Sequence, residues 1–459
     1  MGLFFGTDGL RGEVDKFLNA KLAFRCGNAL SQVFELNKTE KNKRKKCKIL
    51  IGTDTRGSAD MLASAFASGA MSGGASVSFV GVCPTAGIGF LTEYMHYDFG
   101  VVISASHNPA KYNGIKIFDK SGKKIDEKIV NQIEKNLLKL KIKKSNNFGR
   151  FSCCEKLKAN YESFLIKLAE VEFENKDLLK GFKIVLDCSN GASYKIAPKV
   201  FKFFGAEVIE TFTKPNGKNI NKNCGSLNIE TLKENVLKER ANVGFAFDGD
   251  SDRVIAVAES GEIVDGDQIV YILANYYKEK NRLKNGGIVC TKHTNFGIEL
   301  SIRQKGISMY RTEIGDKFVS DEMDKNRLVV GGEKSGHIFV KDKLKTGDGI
   351  LVALMISSIM ANKKQKLSAL LCRKLIPQIN KNIEVKNKEK ILENKNLMSE
   401  FEKIKEKFEG GRLFLRVSGT ESVIRIMAEN KDEEYLNFVV DSLEKIIKEI
   451  DSRGVLCAE

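Results

Sequence analysis

The stretch KILIGTDTRGS, from Lys48 to Ser58, runs from apolar residues into a small, polar turn. An apolar run of this length that ends in such a turn is typical of a buried strand leading into a helix. The same layout recurs in KIVLDCSNGAS at 183–193 and in GIVCTKHTNFG at 287–297. The repeat therefore predicts related α/β domains, each opening with a strand, a turn and a helix.

A second strand follows each of these units and ends in an unusual polar loop. The strand-and-loop segments are GVVISASHNP at 100–109, VGFAFDGDSDR at 243–253 and RLVVGGEKSGH at 327–337. Because the loops stand at equivalent places in the repeat, we expect them to line one central cleft.

Beyond about residue 370 the repeat gives way to a smaller α+β pattern. A Lys- and Glu-rich stretch at 389–408 predicts a helix, segments 412–422 and 423–430 predict strands around a tight turn, and an amphipathic helix follows. The predicted fold class is α/β, with three related α/β domains with mixed sheets plus a smaller C-terminal α+β domain. The predicted domains are 1–150, 151–254, 255–368 and 369–459.

The composition argues against a membrane protein and against a secreted or organelle-targeted protein. The apolar run 350–360 is shorter than the roughly 20 residues of a membrane span and contains two serines, so it predicts a buried helix. The start MGLFFGTDGL lacks the basic region of a signal or transit peptide. The ten cysteines include no Cys-x-x-Cys pair and are expected to be reduced thiols, so we expect a cytoplasmic protein without membrane contact.

The net charge of +16 fits either a nucleic-acid surface or a lysine-rich exterior around a site for anionic small molecules. The densest basic run, KNKRKKCK at 41–48, leads directly into a strand and is expected to be an exposed connection. Basic clusters do not alternate with regularly spaced aromatic residues, as they would on a single-strand platform. We therefore expect small-molecule partners and no nucleic acid.

The acidic loop FDGDSDR places Asp248, Asp250 and Asp252 at alternate positions directly after an apolar strand. In extended backbone alternate side chains project to the same side, so these carboxylates are expected to converge. Converging carboxylates raise one another's pKa strongly unless a cation neutralises them. Oxygen ligands without His or Cys favour Mg²⁺ or Ca²⁺, and Arg253 breaks the EF-hand pattern, so we favour Mg²⁺ over the alternative of a solvated acidic turn.

The serine loop ISASHNP, at 103–109, contains two serines without the flanking glycines of a hydrolase elbow. A serine that carries a phosphoryl group would give the metal a phosphate oxygen and would account for Arg253 beside it. Ser106 is therefore predicted to donate and accept phosphate, held at the loop apex by the turn at Asn108 and Pro109. In an extended loop His107 would point away from Ser106.

Motifs in this order resemble the α-D-phosphohexomutase superfamily. They are SHNP at 106–109 followed by NGIK at 113–116, then DGDSDR, GEKSGH and RVSGTES. FGTDGLRG at 5–12, NINKNCGS at 219–226 and GEKSGH are most similar to its bacterial members that act on glucosamine phosphate. Ser422 and the LNIE that follows NCGS depart from the family pattern, which affects the shape of those two loops.

The resemblance implies that glucosamine 6-phosphate and glucosamine 1-phosphate interconvert through a 1,6-bisphosphate, in amino-sugar metabolism that supplies UDP-N-acetylglucosamine and peptidoglycan precursors. Ser106 would be the phosphoserine, and its phosphate would hold one Mg²⁺ with the three aspartates. Glucosamine 1,6-bisphosphate or another hexose bisphosphate would be the intermediate and primer. Arg11 and Lys116 would neutralise the reacting phosphoryl oxygens. The general acid and base stay open among His107, Lys116, His337 and Arg11.

The remaining motifs would bind the sugar and its second phosphate. Glu333 and Ser335, two residues apart, offer hydrogen bonds to adjacent ring hydroxyls, unless the segment is only a glycine turn. The segment RVSGTESVIR would form an anion cradle, unless it is only a turn between strands. The residues predicted for this cradle are Arg416, Ser418, Gly419, Thr420 and Arg425.

Alternative functions remain at this point. A mannose- or glucose-phosphate mutase of the same superfamily would share every catalytic motif, and a metal-dependent phosphatase would also use Ser and Asp. A polyanion-binding module would account for the positive net charge but not for the motifs. The mutase hypothesis further implies a kinase or bisphosphate donor that primes Ser106, and it is compatible with a homodimer.

Overall fold

The computed structural model describes residues 4–6, 9–38, 46–139, 147–173, 177–417 and 422–453. These residues form two compact units. One unit comprises the residues up to 292 together with 307–371, and the other comprises 293–306 together with the residues from 372 onward.

A mixed sheet in the N-terminal part of the chain carries the serine loop. Its strands lie in the spatial order Phe5–Gly6, Gly9–Glu13, Tyr112–Asp119, Phe99–Ile103, Lys48–Thr53, Ser76–Val82 and Phe151–Cys153. The strand Lys48–Thr53 pairs in parallel with both of its neighbours and is buried, as its apolar sequence predicts.

Two further sheets follow along the chain. The second sheet has the strand order Ile263–Val264, Val254–Ala258, Val243–Phe247, Lys183–Asp187 and Glu207–Thr211. The third has the order Ser308–Thr312, Gly287–Thr291, Val330–Gly332 and Ile338–Val340. In all three sheets, the strand before the polar loop pairs in parallel with the first strand of its repeat and antiparallel with the strand after the loop. This shared topology confirms the predicted repeat of α/β domains.

Helices accompany these sheets. In the first unit they are Ala20–Leu36, Ala59–Ser72, Thr85–Tyr94, Glu127–Leu138, Lys158–Phe173, Ile196–Phe203, Glu230–Glu239, Gly266–Glu279, Asp316–Lys325, Gly349–Lys363 and Leu367–Leu370. Gly349–Lys363 is buried along most of its length, which confirms the buried helix predicted at 350–360. Among the described helices, none combines the length and the apolar character that crossing a membrane requires.

The second unit contains the predicted C-terminal α+β domain. Its antiparallel sheet has the strand order Gln378–Glu384, Val423–Glu429 and Arg412–Val417. Its helices are Phe296–Gln304, Lys388–Leu392, Lys395–Lys407 and Glu433–Arg453. Apolar side chains of the sheet and of the last helix, among them Ile424, Ile426 and Leu443, form one buried core.

The structure corrects two details of this domain. The single helix predicted at 389–408 is wrong, because the side chain of Asn394 accepts hydrogen bonds from the N–H groups of Asn396 and Leu397 and begins a new helix there. The strand Gln378–Glu384 was not predicted, since its mostly polar sequence lies at the edge of the sheet and gives little apolar signal.

The domain boundaries at 150, 254 and 368 remain predictions. The strand Phe151–Cys153 pairs with the first sheet, and Val254–Ala258 and Ile263–Val264 pair with the second, so both sheets extend a few residues past the predicted limits. Residues 41–45 of the basic run lie outside the described residues.

Two helices of the first domain meet at a pair of glycines. A Cβ on Gly69 would lie 1.8 Å from the carbonyl oxygen of Phe24, and a Cβ on Gly27 would lie 2.0 Å from that of Phe66. The helix backbones can approach this closely only because both positions lack a side chain.

We expect Gly69→Ala to force these helices apart and to lower the free energy of unfolding by about 2 kcal/mol, even though alanine favours a helix more than glycine does. Ser68→Ala, at the exposed neighbouring position, is the control and should change this free energy by less than about 0.5 kcal/mol. Urea unfolding followed by circular dichroism measures both. Equal stability of the two variants would contradict the close contact.

Candidate active site

Ser106 lies at the apex of the serine loop and is buried, with a backbone φ of +52° in the left-handed region. Its hydroxyl donates a hydrogen bond to Oδ2 of Asp248. Ser104 instead donates to Oδ2 of Asp54 over 2.7 Å and accepts the N–H of Ser106 over 2.9 Å. Ser106 rather than Ser104 therefore faces the acidic loop.

The aspartates of the acidic loop converge as predicted, but for a different reason. Asp248, Asp250 and Asp252 are buried, and one carboxylate oxygen from each lies within 4.8 Å of the others. The prediction of an extended backbone is wrong, because the segment is a turn in which Ser251 has a φ of +63°. The turn, not strand alternation, brings the carboxylates together.

A glycine allows the acidic loop and the serine loop to touch. A Cβ on Gly249 would lie 2.7 Å from the carbonyl oxygen of Ser106, closer than real side chains approach backbone. The glycine between Asp248 and Asp250 therefore leaves room for the backbone of the serine loop.

Lys116 contacts this cluster directly, with Nζ 2.8 Å from Oδ2 of Asp250 and 2.9 Å from Oδ2 of Asp252. Burial and the neighbouring carboxylates raise the pKa of Asp248 well above its ordinary value. Burial opposes ionisation of Asp252 too, but Lys116 and His337 hold the pKa of Asp252 well below its ordinary value. The ionised form is therefore more strongly favoured at Asp252 than at Asp248.

The donor set of the acidic loop fits a hard divalent cation. The chemistry is all carboxylate oxygen, which Mg²⁺ and Ca²⁺ prefer. Oδ1 of Asp250 is buried and receives no hydrogen bond from any residue that the structure describes. A buried carboxylate oxygen without a donor is costly, and a bound cation would satisfy it.

The GEKSGH loop meets the acidic loop through a short backbone pairing. Arg253 and His337 form an antiparallel β-bridge, and the N–H of Val254 donates to the carbonyl of Gly336 over 3.0 Å. Nδ1 of His337 lies 3.5 Å from Oδ1 of Asp252. Burial would lower the pKa of His337, but the charge of Asp252 raises it above its ordinary value.

Glu333 and Ser335 belong to the same loop. Glu333 is buried, and its Oε1 accepts the N–H of Gly315 over 2.9 Å. Burial raises the pKa of Glu333 above its ordinary value. Ser335 is half-buried beside it. Their contacts to a sugar stay predictions.

Arg253 closes the acidic loop on itself. Its backbone N–H donates to Oδ1 of Asp248 over 3.1 Å, and its Nε lies 3.9 Å from Oδ1 of Asp252. Its side chain is half-buried. The guanidinium thus stands at the rim of the carboxylate cluster, where the sequence analysis expected a positive charge.

His107 lies next to the serine hydroxyl. Its Nδ1 is 3.4 Å from Oγ of Ser106, so the expectation that it points away is wrong, because the left-handed backbone at Ser106 turns the chain. Burial, together with the positive charges of Arg253 and Arg11, lowers the pKa of His107 to about 3. Arg11 reaches the same loop, with Nη1 3.5 Å from Oδ1 of Asn108.

The predicted phosphate cradle belongs to the second unit. Arg416 and Arg425 stand directly opposite each other on neighbouring antiparallel strands. Ser418, Gly419 and Thr420, predicted to complete the cradle, lie outside the described residues. The cradle therefore stays a prediction.

Sequence reasoning missed three side chains that contact this site. Thr85 donates its hydroxyl to Oδ2 of Asp250 over 2.6 Å. Arg56 and Asn221 both donate to the carbonyl of Ser106. Arg56 lies in the segment TDTRGS and Asn221 in NINKNCGS, but neither segment indicates a role for these side chains, and Thr85 lies in no motif.

Family models for phosphoglucomutase/phosphomannomutase match the chain in consecutive segments. The models of α/β/α domains I, II and III match residues 2–143, 160–261 and 265–376, and the model of the C-terminal domain matches residues 381–446.

Proteins of known name align over almost the full length. The phosphoglucosamine mutase of Carboxydothermus hydrogenoformans is 41% identical over 455 residues, covering 98% of this chain and 100% of its own. The phosphoglucosamine mutase of Clostridium novyi is 42% identical over 458 residues, covering 98% of this chain and 99% of its own.

Solved structures share the fold. A phosphoglucomutase/phosphomannomutase family protein from Burkholderia thailandensis has a TM-score of 0.80 at 22% identity, covering 97% of each chain. The Aspergillus fumigatus N-acetylphosphoglucosamine mutase, in complex with GlcNAc-6P and magnesium, has a TM-score of 0.64 at 16% identity, covering 98% of this chain and 96% of its own. Because the family models match in order along most of the chain, it belongs to the phosphoglucomutase/phosphomannomutase family.

Proposed function

We propose that the chain interconverts glucosamine 6-phosphate and glucosamine 1-phosphate through glucosamine 1,6-bisphosphate. The observation that carries the proposal is the contact between the hydroxyl of Ser106 and the carboxylate of Asp248, which sets a phosphate-accepting oxygen against a buried acidic cluster. The two relatives named phosphoglucosamine mutase, at 41% and 42% identity, support an amino sugar as the substrate. The product would supply UDP-N-acetylglucosamine and cell-wall precursor synthesis.

We assign one Mg²⁺ to Asp248, Asp250, Asp252 and an oxygen of phosphorylated Ser106. The magnesium in the Aspergillus fumigatus protein and the oxygen-only donor set here support this choice. When bound, Mg²⁺ would neutralise charge on the phosphoryl oxygens.

In the proposed reaction, phosphorylated Ser106 transfers its phosphoryl group to the free hydroxyl of the sugar. The bond from Oγ of Ser106 to phosphorus breaks, a bond from the sugar oxygen to phosphorus forms, and the proton of the sugar hydroxyl passes through an enzyme base to Oγ. The second half repeats these changes in reverse at the other end of the bisphosphate, so Ser106 regains a phosphoryl group. Lys116 and Arg11 are proposed to stabilise the charge on the transferring group.

We assign proton transfer to Lys116 and His337. A guanidinium keeps its proton, so Arg11 contributes charge only. His107 is a weak base at neutral pH because its pKa is lowered to about 3, and we propose that it orients the hydroxyl of Ser106. Lys116 and His337 both contact Asp252, whose carboxylate can stabilise their charged forms.

The other loops are proposed to bind the rest of the substrate. Glu333 and Ser335 would accept and donate hydrogen bonds to ring hydroxyls, and Arg253 would contact a phosphate. In the second unit, Arg416 and Arg425 are proposed to bind a phosphate group. Ser418, Gly419 and Thr420 are proposed to complete that site. A hexose bisphosphate or a kinase would first phosphorylate Ser106.

We expect Ser106→Ala to abolish mutase turnover and to remove a covalent phosphate without loss of folding, because Ser106 is the hydroxyl that contacts Asp248 in the described part of the chain. Ser68→Ala, at an exposed helix position, is the control and should still acquire the phosphate. Intact-protein mass measurement after incubation with glucose 1,6-bisphosphate compares the two. Substantial turnover by Ser106→Ala would contradict the mechanism.

The substrate class is tested by assaying glucosamine, glucose and mannose 6-phosphates side by side. We expect kcat/KM for glucosamine 6-phosphate to exceed the other two by about tenfold or more. Preference for glucose or mannose phosphate would identify a different mutase of the family. Release of inorganic phosphate at the rate of substrate turnover would instead indicate a phosphatase.

Mg²⁺ is expected to stabilise the chain by on the order of 2–3 kcal/mol at a hundredfold excess over its Kd. Asp248→Asn should abolish this gain while leaving the metal-free chain at least as stable, because it removes a carboxylate whose charge is disfavoured by burial and by the neighbouring carboxylates. Asp60→Asn, on an exposed helix position, is the control and should keep the gain. Thermal unfolding in the presence of Mg²⁺ or of EDTA measures the stabilisation by the metal in each variant. An unchanged gain in Asp248→Asn would contradict the assigned site.

A further inference from the structure

Arg56 holds the backbone of the serine loop from within the first domain. Its Nη2 donates to the carbonyl of Ser106 over 2.9 Å and to that of Asn108 over 2.7 Å. Its Nη1 donates to the carbonyl of Tyr112 over 2.9 Å and also to that of Pro109. One buried guanidinium thus satisfies four carbonyl groups around the proposed phosphoserine.

A buried carboxylate fixes this guanidinium. Nε of Arg56 lies 2.8 Å from Oδ2 of Asp54, and Oδ1 of Asp54 accepts the N–H of Arg56 over 3.0 Å. The same Oδ2 accepts the hydroxyl of Ser104, which in turn accepts the N–H of Ser106. The N–H side and the C=O side of Ser106 are therefore tied to one ion pair.

Asn221 holds the same carbonyls from the second domain. Its Nδ2 donates to the carbonyl of Ser106 over 2.8 Å and to that of Asn108 over 3.1 Å. Its own N–H donates to the carbonyl of Ser189 over 2.9 Å. Asn221 therefore links the serine loop to the sheet that carries the acidic loop.

The turn that contains Arg56 is also joined to the second domain. The N–H of Gly57 donates to the carbonyl of Gly217 over 2.9 Å, and the hydroxyl of Thr55 donates to the carbonyl of Asn190. Arg56 and Asn221 thus belong to one continuous junction, built from TDTRGS on one side and from Asn190 and the segment 217–221 of the second domain on the other.

This junction determines the orientation of the Ser106 hydroxyl. Ser106 has a left-handed backbone, which a residue with a side chain adopts only when its surroundings hold it. Hydrogen bonds on its carbonyl fix the following peptide plane, and those on its N–H fix the preceding one. Together they set the direction of the Cα–Cβ bond and keep Oγ on Asp248.

We propose that Arg56 and Asn221 are positioning residues for phosphoryl transfer at Ser106, a role that rests on the proposed function of Ser106 as the phosphoserine. Neither side chain is assigned a contact with the sugar. Loss of either should therefore slow transfer while leaving substrate binding in place, because a small misplacement of a reacting group costs rate rather than affinity.

Asn221→Gly and Asn223→Gly form a matched pair for the test. Both asparagines lie in the same loop with left-handed backbones, at φ of +57° and +54°, which glycine adopts freely. Asn223 is exposed. We expect Asn221→Gly to lower kcat about tenfold with KM changed by less than about twofold. Asn223→Gly should retain the wild-type values.

Arg56→Lys provides a second, independent variant. A lysine keeps the charge beside Asp54, but its single ammonium cannot reach four carbonyls, so kcat should again fall about tenfold at nearly unchanged KM. Phosphorylation of Ser106 by glucose 1,6-bisphosphate, followed by intact mass, should be slowed in both variants. Unfolding midpoints within about 3 °C of the wild type would separate positioning from folding.

The outcomes distinguish this proposal from the proposed function. A wild-type enzyme that is active and phosphorylated at Ser106, combined with variants of unchanged kcat, overturns the positioning role alone. Activity lost only together with the unfolding midpoint overturns it as well. An active wild type without phosphate on Ser106 overturns both proposals, because that serine would need no positioning.

Discussion

Three carboxylates buried at one point are the constraint on which the rest of this site depends. Asp248, Asp250 and Asp252 each bring an oxygen within 4.8 Å of the others. Unit charges at that separation repel by on the order of 3 kcal/mol per pair at an effective dielectric constant near 20. The ammonium of Lys116 offsets part of this repulsion, and burial together with the repulsion that is left raises the pKa of Asp248. Binding a divalent cation would turn an unfavourable cluster into a favourable one.

The cluster persists because backbone contacts from neighbouring domains hold the acidic loop in shape. The N–H of Thr85 donates to the carbonyl of Asp250, and the N–H of Gly349 donates to that of Ser251. A Cβ on Gly349 would lie 2.5 Å from the carbonyl of Arg253, so the contact requires glycine. These contacts from both sides oppose a relaxation that would separate the carboxylates. The fold thus keeps together like charges that a bound cation would neutralise.

Much of this architecture could be predicted, because it rests on local patterns. Apolar runs such as KILIGT predict buried strands. The polar loop after each second strand predicts Ser106, the aspartates and Glu333 as site residues. Left-handed backbone at Ser106 and Ser251 could not be predicted, since neither residue favours it locally. The sequence alone favours an extended backbone at these residues, and an extended backbone at Ser106 would wrongly turn the side chain of His107 away from its hydroxyl. Residues such as Arg56 contact backbone carbonyls that only the tertiary fold brings near, so no spacing in the sequence signals them.

The C-terminal sheet of the second unit also places like charges close together. Arg416 and Arg425 face each other across an antiparallel pair, where directly opposed like charges destabilise the strands. A sheet optimised for stability alone would place opposite charges or a β-branched pair there. In the proposed phosphate cradle, a bound dianion would offset the repulsion between these two arginines. The acidic loop and this strand pair thus each place like charges close together, and a ligand of the opposite sign would reduce the repulsion in either.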